Sequence, residues 1–151
     1  MARSMRLARD MYIVLLLHLA WALMAVPVVT RQQRVPASAA AVYTTNLVKG
    51  APLEVTKKHL ENGIARAVIC NSGNANTCNA DGIEIAETTC ELLAKELGIA
   101  AEDVIVASTG VIGQPLDLAP IRSSLPQLAA ALGDHSDQAA EGIMTTDTHR
   151  K

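Results

Sequence analysis

Phenylalanine is absent from the 151 residues, and aromatic side chains of any kind make up only 2% of the chain. A core must then be packed from Ala, Val, Ile and Leu, and stacking on a nucleobase or a sugar ring is excluded as a main binding mode. An excess of one charge sign is absent too. Thirteen Lys and Arg stand against 15 Asp and Glu, a formal net charge of -2, and no basic stripe offers the footprint that nucleic acid requires. Cysteine is scarce: Cys70, Cys78 and Cys90 form neither a CxxC pair nor a Cys/His cluster, so no metal site is expected and three reduced thiols are. His18, His59, His135 and His149 stand beside no Ser or Cys in a nucleophile motif, and none is given a role.

What is present suits one α/β domain: half of the chain is hydrophobic, and short apolar stretches alternate with amphipathic ones. Residues 1–31 differ in kind from the rest, because Arg3, Arg6 and Arg9 precede an apolar run over residues 11–29. That pattern reads as a hydrophobic leader: a secretory signal, a weak membrane anchor, or a stretch foreign to the remainder. The domain proper is expected over residues 32–151. Within it, residues 39–44 read as a strand. Thr56 reads as the N-cap of a short helix through Asn62 with Gly63 after it, and residues 65–71 as a buried strand. Residues 72–81, rich in Gly and Asn, read as an ordered loop.

The spacing of Ile83, Ala86, Cys90, Leu93 and Leu97, ended by Gly98, predicts a helix over residues 82–97 with that face in the core. Residues 104–107 read as a strand entering a turn over residues 108–113. Leu118, Ile121, Leu125, Leu128 and Leu132 mark another helix that Pro126 should kink or split. Ser136 can cap a last helix to Ile143.

Three motifs carry chemistry. The first is Ser108-Thr109-Gly110-Val111-Ile112-Gly113, where a strand end offers backbone N–H groups and hydroxyls in one turn, the equipment for holding an anion that develops on a carbonyl oxygen. Such turns also serve only to reverse the chain. A P-loop or a dinucleotide fold does not fit, for no Lys follows the glycines and no acidic residue sits where a ribose would need it. The second is Met144-Thr145-Thr146-Asp147-Thr148, able to bind an amino-acid substrate or to be an ordinary capped turn. The third is the Asn-rich run after residue 70, either polar binding surface or tightly bonded loop.

Taken in order, VPASAAAVYTTNLVKGAP, ARAVICNSGNANTCNADG, VASTGVIGQPL and IMTTDT resemble the glutamate N-acetyltransferase/ornithine acetyltransferase family over residues 35–148. The resemblance implies a partial sandwich of mixed sheets covered by helices, and an acyltransferase that moves acetyl from N-acetylornithine to glutamate, in bifunctional members also from acetyl-CoA. It implies neither a metal nor a prosthetic group, and a cytoplasmic or mitochondrial-matrix setting. Family members are cut from one precursor so that a Thr opens the β-chain and acts as nucleophile; the α- and β-chains then form a hetero-oligomer. Thr109 and Gly110 match the family's oxyanion pair, and Thr145, or its neighbour Thr146, matches a substrate-contacting threonine. The family's Ala-Thr-Met-Leu segment, which holds the nucleophile, has no counterpart here, so the chain reads as an α-chain portion inactive alone. The alternative is a non-catalytic protein that the leader sends to a membrane or out of the cell, with the α-chain fold reused for binding.

Overall fold

The computed structural model describes residues 12–19, 22–28, 36–133, 136–142 and 144. Two strands come first, β1 (Tyr12–Leu19) and β2 (Ala22–Val28), paired antiparallel with Leu15 opposite Val26. The described part of the apolar run that reads as a leader is thus laid down as sheet. No helix among the described residues is long and apolar enough to cross a membrane.

A two-residue strand, β3 (Ala37–Ser38), follows. The strand expected over residues 39–44 does not form, because the chain leaves the sheet after Ser38 and Val42 stands 99% exposed with no row of partners to pair with. Helix α1 (Ala51–His59) starts earlier than expected. Pro52 occupies its first turn, where a missing N–H is harmless, and Lys57, Lys58 and His59 lie at its negative end. Thr56 is therefore inside the helix rather than its cap. A short 3-10 turn over Leu60–Asn62 ends at Gly63, whose φ of 70° is the left-handed cap the sequence suggested.

Strand β4 (Ile64–Ala65) pairs with β3, and β5 (Ala67–Asn74) lies parallel to β1. β5 runs three residues further than expected, through Ser72, Gly73 and Asn74. Helix α2 (Gly82–Leu97) keeps its predicted bounds and buries Ala86, Thr89, Cys90, Leu93 and Ala94. Ile83, expected on that face, is 52% exposed, although Gly82 beside it is buried against Ala51 and Asn76. After a 3-10 turn at Ala101–Asp103 comes β6 (Val104–Val111), parallel to β5 over its whole length. The main sheet has the order β2-β1-β5-β6, with β6 at one edge.

Helix α3 (Leu118–Ala130) is capped by Asp117, whose Oδ1 accepts the Ala119 N–H at 2.9 Å. Pro126 neither splits nor ends it. Pro126 and Arg122, whose carbonyl the proline leaves without its helical donor, both lie on the exposed face, so that oxygen is not shut away from solvent. A last helix, α4, spans Ser136–Gly142.

The core sits between the sheet and α1, α2 and α3. Val55, Ala67, Ile69, Cys90, Leu93, Val104, Ile121, Leu125 and Leu128 are all 2% exposed or less. Among the described residues this core cluster contains no Phe, Tyr or Trp, and each fully buried Leu or Ile contributes roughly 1.5–3 kcal/mol.

Candidate functional site

As the edge strand, β6 has one row of backbone groups bonded to β5 and one facing outward. Ala75 donates its N–H to the Val111 carbonyl at 2.9 Å, so Val111 faces β5. Alternation along a strand then turns Val104, Val106, Ser108 and Gly110 outward. Two side chains of α1 confirm that parity. The Thr56 hydroxyl donates to the Val106 carbonyl at 2.8 Å and accepts from the Val106 N–H at 3.3 Å. Nδ1 of His59 lies 2.8 Å from the Val104 carbonyl, which makes that nitrogen the protonated one. Both side chains are buried, at 7% and 8% exposure.

Helix α1 thus seals the first half of the edge and leaves the second half open at Ser108 and Gly110. A groove of about 390 Å³ runs beside it, lined among others by Tyr43, Leu53, Thr56, Thr77 and Ser108, and by no charged side chain. Thr109 and Gly110 are exposed at the strand's end. The expected turn over residues 108–113 is therefore strand as far as Val111, and the reversal itself is confined to Ile112, Gly113 and Gln114.

Gly110 has a φ of 130° and faces Gly73, at φ 124°, in the strand register. A β-carbon built on Gly110 would lie 2.2 Å from the Gly73 carbonyl carbon and 2.7 Å from the Asn74 nitrogen, so only glycine fits. This close crossing holds the Gly110 α-carbon on the Gly73–Asn74 peptide.

The Asn-rich run is what keeps that peptide in place. Nδ2 of Asn74 donates to the Gln114 and Pro115 carbonyls at 3.0 and 3.2 Å, and its Oδ1 accepts the Asn76 N–H at 2.8 Å. Asn79 donates to Gln114 as well, Gly113 donates its N–H to Thr77, and Asn71 donates to the Asn74 carbonyl. Of the two readings open for this run, tightly bonded structure is the one found: Asn71, Asn74 and Asn76 are buried. In the sequence, Thr56 reads only as a helix cap, His59 is given no role, and Asn74 stands only as one member of the Asn-rich run. Pro52 close behind Gly50 was the available sign that Thr56 lies inside a helix.

Thr145 and Thr146 lie outside the described residues. Among the described residues no group of three His, Cys, Asp or Glu is placed to hold a metal ion. Two of the thiols, Cys70 and Cys90, are poor nucleophiles at neutral pH. Burial pushes Cys70 up to about 11, and burial, then Glu87 and Glu91, push Cys90 up to about 12. What the arrangement offers is an outward backbone N–H at Gly110 next to the Thr109 hydroxyl, both at the open end of a rigidly braced strand. Hydrogen-bond donors so held suit a developing oxyanion.

A family model described as "ArgJ family" matches residues 25–151. Over 118 residues, 77% of this chain, the sequence is 50% identical to the arginine biosynthesis bifunctional protein ArgJ of Geobacter sulfurreducens. The chain spans about 30% of that relative's length. Among solved structures it is similar to the ArgJ protein of Bacillus halodurans, with a TM-score of 0.72 and 38% identity over 83% of this chain and 65% of that one. It is also similar to the ornithine acetyltransferase of Mycobacterium tuberculosis, solved in complex with ornithine. The TM-score there is 0.70 and the identity 36%, over 74% of this chain and 63% of that one.

Proposed function

The chain belongs to the ArgJ family, and from that premise we propose that it supplies the oxyanion-binding part of an acetyltransferase that moves acetyl from N-acetylornithine to glutamate. The observation that carries this reading is the edge of β6. Its outward groups are taken up by α1 at Val104 and Val106 and left open at Gly110, next to the exposed Thr109 hydroxyl. When a nucleophile adds to the acetyl carbonyl, the oxygen gains a full charge, and two fixed donors stabilise that state more than the starting amide. The resemblance implies a threonine nucleophile that is assigned to no residue of this chain. That threonine, and the β-chain that would present it, belong to the proposal as partner, with N-acetylornithine and glutamate as substrates and no metal taking part.

The test is a chimera in which this chain replaces the aligned 118-residue stretch of the Geobacter relative. The chimera is expected to transfer acetyl from N-acetylornithine to glutamate, and Thr109→Ala to lower its kcat by about 10²- to 10³-fold. A folded chimera without transfer would overturn the activity. Transfer that T109A leaves intact would overturn the role given to Thr109.

A further inference from the structure

We infer that Asn74 is a positioning residue for the Thr109–Gly110 end of β6, an inference that rests on the oxyanion role proposed above. Asn74 is 7% exposed and ends β5, directly after the glycine that Gly110 crosses. Its carboxamide uses both sides. Nδ2 donates to the carbonyls of Gln114 and Pro115, on the far side of the turn that leaves β6, and Oδ1 accepts the Asn76 N–H. The segment from Gly110 to Pro115 is thereby tied at both ends to β5, through the strand register before the turn and through this side chain after it.

The Gly73–Asn74 peptide is the surface against which the Gly110 α-carbon rests, with room for no additional atom. Any shift of that peptide is passed on to Gly110, and with it to the direction of the outward N–H. The Asn74 side chain fixes this peptide at its Asn74 end, and Asn71, donating to the Asn74 carbonyl at 2.8 Å, fixes the peptide that follows, Asn74–Ala75. Asn74 meets no reacting atom in this scheme. It acts through the placement of Gly110, so its loss should weaken the stabilisation of the tetrahedral state and leave ground-state substrate binding almost as it was.

The experiment compares Asn74→Ala and Asn74→Asp in the chimera that carries the wild-type segment, at pH values where both variants keep the wild-type far-UV spectrum. N74A is expected to lower kcat about 10- to 100-fold with KM within twofold, the size of effect expected for a displacement of about 1 Å. N74D keeps the shape but loses the donors, so its kcat should fall as far at neutral pH. As the pH is lowered, the N74D carboxyl takes up a proton and can donate to Gln114 again, and the ratio of N74D to wild-type kcat should rise while the N74A ratio stays flat. A kcat within twofold of wild type for both variants would overturn the inference while leaving the oxyanion reading in place. So would a loss confined to KM, or an N74D ratio that does not respond to pH. A wild-type chimera that fails to transfer acetyl would instead overturn the reading on which the inference stands.

Discussion

Gly73 and Gly110 face each other across β5 and β6 at positive φ, so close that a β-carbon on Gly110 would fall 2.2 Å from the Gly73 carbonyl carbon. Neither backbone can yield easily, because the Asn74 carboxamide fastens one and the sheet register the other. Gly110→Ala should therefore destabilise the chain by about 2–4 kcal/mol, the sum of a clash with main-chain atoms and an unfavourable φ. Urea unfolding followed by circular dichroism measures it. A change below about 1 kcal/mol would mean the strands can separate at this point.

Thr56→Val should cost about 1–3 kcal/mol, because it removes the buried partner of both the N–H and the C=O of Val106 while keeping the side-chain shape. Thr56→Ser, which retains the hydroxyl, should lose much less. Hydrogen exchange at the Val106 amide gives a direct reading: faster in T56V, near wild type in T56S.

Some of this was legible in the sequence and some was not, for reasons that differ from residue to residue. The α2 helix announced itself through its three-and-four spacing and Gly98, since local periodicity and a cap suffice for a helix with one buried face. β6 was legible as a strand leading into a glycine turn, but Thr109 and Gly110, expected in the turn, belong to the strand, which runs on to Val111 beside β5. Thr56 was not legible, because a hydroxyl at that position looks like a cap and its partner lies 50 residues away. The extension of β5 through Ser72, Gly73 and Asn74 was hidden by composition. Gly and Asn normally signal a loop, and they sit in a strand here because β6 continues alongside and the asparagine carboxamides find backbone partners.

Pro126→Ala should raise stability by about 1–3 kcal/mol. The helix α3 already runs unbroken through the proline on its exposed face, so alanine restores a backbone hydrogen bond without disturbing the core. A thermal melt decides it, and an unchanged or lower Tm would show that Pro126 serves the unfolded chain or a contact of its own.

Alkaline pH should loosen the fold through the two burial-shifted thiols. Cys70 and Cys90 titrate near 11 and 12 in the folded chain against an ordinary value of 9.0. The unfolded chain thus gives up these protons first, and stability, level below about pH 9, falls as the pH rises towards the folded values. The slope is about 1.4 kcal/mol per pH unit for each thiol. Cys90→Ala should remove one share of that slope. In thiol-labelling at pH 8 the exposed Cys78 should react well before the other two.

The half-sealed edge of β6 also bears on how this chain behaves in a crowded solution. A foreign strand that seeks to extend a sheet needs a run of unoccupied N–H and C=O groups to grow along. Here α1 has consumed that run at Val104 and Val106, and the stretch left over, two outward residues long, is shorter than the strands that ordinarily pair. The same helix that leaves Gly110 free to meet a small molecule therefore denies the edge to a growing fibril.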